Sequence, residues 1–228
     1  MNLIQFQAWL NAHGASITVD GKPGPATRAA IIETFRNTAA PAATESEKTS
    51  IAKVLGGSLK QLRAVDTVES GGAGWDNSGL LKCLYERHYA WRRLKVLIPF
   101  LSNPTPGGYT TDVDHDGIND SWEKVADMAM RNPLVAFESA SWGRFQIMGA
   151  HAKALGYENA VEFVWALSRS EAAHYRVLAR FIQVNGLQPA FVALSTDPDD
   201  CRALAKGYNG SAYAKHGYHV KLSRAMAS

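Results

Sequence analysis

The sequence predicts a mainly α chain, with a small helical unit in front of a larger helical domain that carries one short β-hairpin. Three observations lead there. Apolar residues recur at helical spacing over 51–56, 58–69, 123–131, 159–167, 170–184, 188–195 and 198–207. Only Leu80 to Tyr85, following the turn Asp76-Asn77-Ser78-Gly79, reads as a strand. Residues 38–50 are small and polar without apolar period, and read as a linker between a unit at 1–37 and a domain at 51–228.

The bulk numbers set limits. A chain of 228 residues holds one sizeable domain plus something small, and 46% hydrophobic with 20% charged residues is ordinary for a globular protein. The apolar run Val96 to Leu101 is interrupted by Pro99, so no transmembrane helix is expected. Met1-Asn2-Leu3-Ile4-Gln5 lacks the basic region and long apolar stretch of a secretory signal. Cys83 and Cys201, far apart and without ligand spacing, are expected to be free thiols in a reducing cytoplasm. Arg202, Lys206, Lys215, Lys221 and Arg224 meet no acidic residue between 201 and 228, and Arg87, Arg92, Arg93 and Lys95 form a second cluster. Such patches suit an anionic outer-membrane or envelope surface, or are merely solvated faces. No nucleic-acid motif accompanies them.

Taken in order, Leu3, Phe6, Trp9 and Leu10 make a first amphipathic helix, and Val19-Asp20-Gly21-Lys22-Pro23-Gly24-Pro25 a dense turn. Thr27 to Phe35 makes a second helix, with Ala30, Ile31 and Phe35 facing inward. Gln5, Val19, Asp20, Gly21, Gly24, Pro25, Thr27, Arg28, Ala29 and Phe35 together resemble the small helical peptidoglycan-binding module. The alternative is a plain helical hairpin.

In the larger domain, Ser58 can cap a helix whose Leu59, Leu62, Val65 and Val68 share a face, and Gly71-Gly72 stop it. Glu69 therefore sits at the C-terminal end of an apolar-faced helix. The helix dipole is negative there, and partial burial disfavours charge, so both raise a carboxyl pKa. A carboxyl kept protonated near neutral pH is what a general acid needs.

Glu86 follows 17 residues later at the end of the strand candidate, in Cys83-Leu84-Tyr85-Glu86-Arg87-His88. Further on come Glu138-Ser139-Ala140-Ser141-Trp142-Gly143-Arg144-Phe145-Gln146-Ile147-Met148-Gly149 and Tyr208-Asn209-Gly210. In this order and spacing the segments resemble the lysozyme-like superfamily, and within it the phage and prophage N-acetylmuramidase endolysin family, over about residues 55–226. The resemblance implies a lysozyme-like α+β catalytic domain acting on peptidoglycan. It implies a phage-type endolysin that hydrolyses the β-1,4 bond between N-acetylmuramic acid and N-acetylglucosamine. It would be made in the host cytoplasm and act in the periplasm after release, as a monomer without a catalytic cofactor.

Glu69 matches the family's catalytic acid. Glu86 is the candidate base or electrostatic partner, or else an ion-pair partner of Arg87 or Arg92. His88 either orients Glu86 or is structural. Glu138 is a third carboxylate, read rather as a cap at a helix start. Ser141, Gln146, Tyr208 and Asn209 are the candidate substrate-binding residues, since neutral donors and acceptors suit sugar hydroxyls and N-acetyl groups. Trp75 and Trp142 either stack on sugars or belong to the core. Two alternatives stay open: a lytic transglycosylase using the same Glu69, and a non-catalytic wall-binding protein.

One segment lies outside this resemblance. The spacing of Asp112, Asp114, Asp116, Gly117, Ile118, Asp120 and Glu123 fits a twelve-residue calcium loop. Asp112, Asp114 and Asp116 would coordinate directly, Ile118 through its backbone carbonyl, Asp120 directly or through water, and Glu123 in bidentate fashion. The expectation is one structural Ca2+, anchoring a helix that begins near Trp122.

Overall fold

The computed structural model describes residues 1–228. Its helices are α1 (Leu3–Ala12), α2 (Pro25–Phe35), α3 (Glu45–Val54), α4 (Leu59–Glu69), α5 (Arg87–Leu94), α6 (Asp120–Ala129), α7 (Pro133–Glu138), α8 (Ala160–Arg169), α9 (Glu171–Val184), α10 (Gln188–Val192), α11 (Arg202–Asn209) and α12 (Tyr218–Ala227). The strands are β1 (Cys83–Tyr85), β2 (Ala140–Trp142) and β3 (Ile147–Met148). The chain divides into two compact units: Met1–Ala40 with Gly74–Arg169, and Pro41–Ala73 with Ser170–Ser228.

In the first unit, the three strands form an antiparallel sheet in the order β1-β2-β3, with Leu84 opposite Ser141 and Trp142 opposite Ile147. The sheet has a strand more than the single hairpin expected, because β2 and β3 are too short for a two-residue period to register. Helix α7 also escapes periodicity, yet Asn132 caps it and Pro133 occupies its first turn. Glu138 ends this helix instead of capping a helix start, and its carboxylate lies 2.8 Å from Arg93.

The core of this unit is aromatic. Phe35 of α2 lies 5.6 Å from Trp122 and 5.0 Å from Phe137, and Phe6 of α1 lies 5.9 Å from Phe137. Trp142 is 1% exposed and packs on Trp122 and Phe137, which fits its core reading and leaves no face for a sugar. The first 37 residues therefore share this core, where the sequence suggested a unit standing apart. Two short helices have too little surface of their own to bury Phe6, Leu10, Ile31 and Phe35 completely.

Gln7, 1% exposed, ties α1 to the following turn. Its Oε1 accepts from the Asp20 and Gly21 N–H groups, and its Nε2 donates to Asp20, the Lys22 carbonyl and Thr27. Gln5, the glutamine assigned to the module pattern, instead closes a capping box with Asn2 at the surface.

In the second unit, α4 buries Leu62 and Val65 and packs along α12 and α3. Gln61 completes the Ser58 capping box and also donates to the carbonyls of Val192 and Leu194, tying α4 to the end of α10. Helix α3 begins inside the expected linker. Thr44 and Glu47 form a reciprocal capping box, and Ile51 and Ala52 are buried, so 45–54 is ordered by its cap and its packing. Cys83 and Cys201 are both free and buried. No helix is long and apolar enough to cross a membrane.

Candidate active site

Glu69 is the last residue of α4, with Ser70 extended after it. Its Oε1 accepts a 2.8 Å hydrogen bond from Asn209 Nδ2, donated from the last residue of α11. Burial raises the Glu69 carboxyl from 4.5 to about 7, against smaller lowering effects of the Asn209 donor and the Lys221 charge. Desolvation therefore wins over one amide and one cation. Tyr208 is next to Asn209, and burial first, then the Glu69 charge, push its phenol above the usual range. The Tyr208 ring meets Phe181 edge-on at 5.4 Å. Within the second unit, the structure thus gathers Glu69, Tyr208 and Asn209. A proton-holding carboxyl can deliver that proton to a leaving oxygen, and the Asn209 amide fixes which carboxyl oxygen is left to do so.

The close fit around α11 explains the glycine in its Lys-Gly-Tyr-Asn sequence. A Cβ at Gly207 would sit 2.3 Å from Leu187 Cδ2.

Glu86, Ser141 and Gln146 belong to the first unit. Glu86 precedes α5, and its Oε2 accepts from Tyr109 OH at 2.7 Å and lies 3.1 Å from His88 Nδ1. Neither Arg87 nor Arg92 pairs with it. Arg87 donates instead to the carbonyls of Thr105 and Pro106. The Glu86 charge raises the Tyr109 phenol, mainly through that hydrogen bond. Tyr109 is a partner of Glu86 that sequence reasoning missed, since nothing local marks a tyrosine 23 positions away as a carboxylate partner.

Ser141 is buried on β2, and its hydroxyl donates to Gln146 Oε1 at 2.9 Å. Gln146 adopts φ 48° in the β2–β3 turn, and its amide donates to the carbonyls of Gly143 and Lys82. These two residues hold the shape of the hairpin. Gly149 follows because a Cβ there would lie 2.0 Å from the Phe137 carbonyl oxygen, which already accepts from Trp142 Nε1.

The acidic loop folds onto itself. Asp112, Asp114 and Asp116 bring carboxylate oxygens within 4.8 Å of one another, and so do Asp114, Asp120 and Glu123. Helix α6 begins at Asp120, two residues earlier than expected. Gly117 takes φ 82° at the sharp turn, its N–H donating to Asp112, while the Ile118 N–H donates to Asp116. Asp120 accepts from the Val113 N–H, and Glu123 pairs with Arg28.

A helix-end carboxyl of raised pKa, steadied by a neighbouring amide, has the chemistry that a general acid needs. The mainly helical frame with a small antiparallel sheet is lysozyme-like. The chain belongs to the N-acetylmuramidase family, whose sequence model matches residues 58–228. Among solved structures it is similar to the crystal structure of the Burkholderia AP3 phage endolysin, at 32% identity and a TM-score of 0.72. That match covers 99% of this chain and 93% of the other. No curated protein matches.

Proposed function

We propose that this chain is a phage-type endolysin that hydrolyses the β-1,4 bond between N-acetylmuramic acid and N-acetylglucosamine in peptidoglycan. The observation that carries this reading is Glu69, a helix-end carboxyl held protonated to about pH 7 beside Asn209. Membership of the N-acetylmuramidase family and the likeness to a phage endolysin support it. Glu69 protonates the glycosidic oxygen as the bond to the muramoyl carbon breaks, and that carbon develops oxocarbenium character. Water then adds to it, its released proton replacing the one Glu69 gave up. Glu86 is the proposed second carboxylate. Its carboxylate is held in place by the hydrogen bond from Tyr109 and by His88, as a base or electrostatic partner requires. Tyr208 and Asn209 provide polar groups for the sugar, and Ser141 with Gln146 shape the hairpin at which we place further sugar contacts. Residues 1–37 are proposed to contribute wall binding, and the site of action to be the periplasm after release from the host cytoplasm.

Digestion of purified peptidoglycan by the wild type, with products identified by mass spectrometry, tests the reaction. Hydrolysis leaves a reducing muramic acid end. A lytic transglycosylase leaves a 1,6-anhydro end, lighter by one water, and that product would replace the hydrolase reading.

We also propose one structural Ca2+ at residues 112–123. The buried Asp112 Oδ1 has no hydrogen-bond partner, which suits a cation among these oxygens. The Arg28 pair with Glu123 competes for the twelfth-position ligand, so Glu123 would share its carboxylate between the two.

A further inference from the structure

Beside α2, the first unit has an open cavity of about 490 Å³, within the ~300–1,000 Å³ of small-ligand sites. Small residues Ala26, Ala29 and Ala30 of α2 form one side, and Trp165 and Arg169 of α8 another. The Arg169 guanidinium lies over the Trp165 ring, its Cζ 3.8 Å from the centroid. Its Nε donates to Ser168 Oγ at 3.0 Å, its Nη2 is buried without an acceptor, and no carboxylate pairs with it.

This arrangement is unusual for an arginine. A buried donor left unmade is unfavourable, and half-buried guanidinium groups normally find a carboxylate. Here burial lowers the Arg169 pKa with no opposing charge beside it. The other charges in the cavity are already engaged. Glu33 pairs with Arg36 at 3.0 Å, Arg36 also donates to the Ser78 carbonyl, and His13 Nδ1 meets the Trp9 carbonyl at 2.7 Å.

We propose that this cavity is a second binding site, separate from Glu69, that takes a carboxylate-bearing short peptide through Arg169 and Trp165. The guanidinium offers a planar fork for the carboxylate, and the Trp165 ring with the alanine side offers apolar contact for a small aliphatic side chain. On the peptidoglycan reading above, on which the choice of peptide rests, the natural occupant is the wall's stem peptide, rich in free carboxylates and alanine. The enzyme would then grip the peptide at one place and cut the glycan at another.

The test is calorimetric titration of the full-length chain with a synthetic stem tetrapeptide, beside the same peptide amidated at every carboxylate. Saturable one-to-one binding is expected for the free acid, weakened at least ~10-fold by amidation, by Arg169→Gln, and by Ala29→Phe. Ala29 is exposed on α2, so Ala29→Phe fills the cavity while leaving the core alone, and it decides the matter if Arg169→Gln melts early. Glu69→Gln should bind the peptide as the wild type does, and Arg169→Gln should still cleave glycan strands stripped of peptide. These two results separate failure of this site from failure of the muramidase reading. Absence of saturable binding, or equal affinity in wild type, Arg169→Gln and Ala29→Phe, overturns the proposal.

Discussion

At Glu69 the balance of forces yields a pH dependence with a definite sign. Its folded carboxyl titrates at about 7 against an ordinary 4.5, so between these values the folded chain holds a proton that the unfolded chain has lost. Stability contributed by this group is present below about 4.5 and declines as pH rises through about 7. Glu69→Gln lacks this titration. Its melting temperature should gain on that of the wild type between pH 4.5 and 7 and hold that gain at pH 8. A difference that does not change with pH would contradict the burial argument. Catalysis should follow the same proton, with turnover falling above about pH 7. Gln7 makes a second residue-scale test. Gln7→Leu removes the acceptor of the Asp20 and Gly21 N–H groups, and should cost about 1–3 kcal/mol in denaturant unfolding. The position of Glu69 was legible because a helix end, a glycine stop and a carboxylate are all local signals. Gln7 was not, since its partners lie 13 to 20 residues away.

Among the elements, the long helices were readable wherever one apolar face persisted. Helix α9 follows its expected range almost to the residue, and α4 matches its cap and its stop. The misses have two causes. Helix α5 is rich in cationic residues and buries only Ala90, so it leaves no apolar stripe to find. The short β2 and β3 owe their conformation to pairing with β1 and with each other. Helix α3 belongs with α5, since its first turns after the Thr44–Glu47 capping box are small or polar and leave no apolar stripe. The acidic loop ahead of α6 supplies a prediction at this scale. Added Ca2+ should raise the melting temperature of chelator-treated protein, and Asp112→Ala should abolish the rise. Identical melts with and without Ca2+, and no heat of binding, would remove the ion from the account.

For the whole molecule, shared burial decides which parts can be separated. Since Phe6 and Phe35 complete the aromatic core around Trp122 and Phe137, a chain beginning at Ser50 should lose the cooperative melting of the first unit. A truncated chain with unchanged melting and activity would show that residues 1–37 are dispensable to that core. The larger domain's family was readable because its motifs are local clusters of Glu, Gly, Gln and Tyr-Asn-Gly. The shared core was not, because the sequence shows amphipathic faces without showing what they pack against. The central claim remains that Glu69 donates the proton that breaks the glycan. Its most direct test is the initial rate of reducing muramic acid formation from purified peptidoglycan by wild type and Glu69→Gln, at pH 6 and at equal folded concentration. The account predicts a fall of at least ~10²–10⁴-fold in the variant with folding intact. A rate near that of the wild type would contradict it.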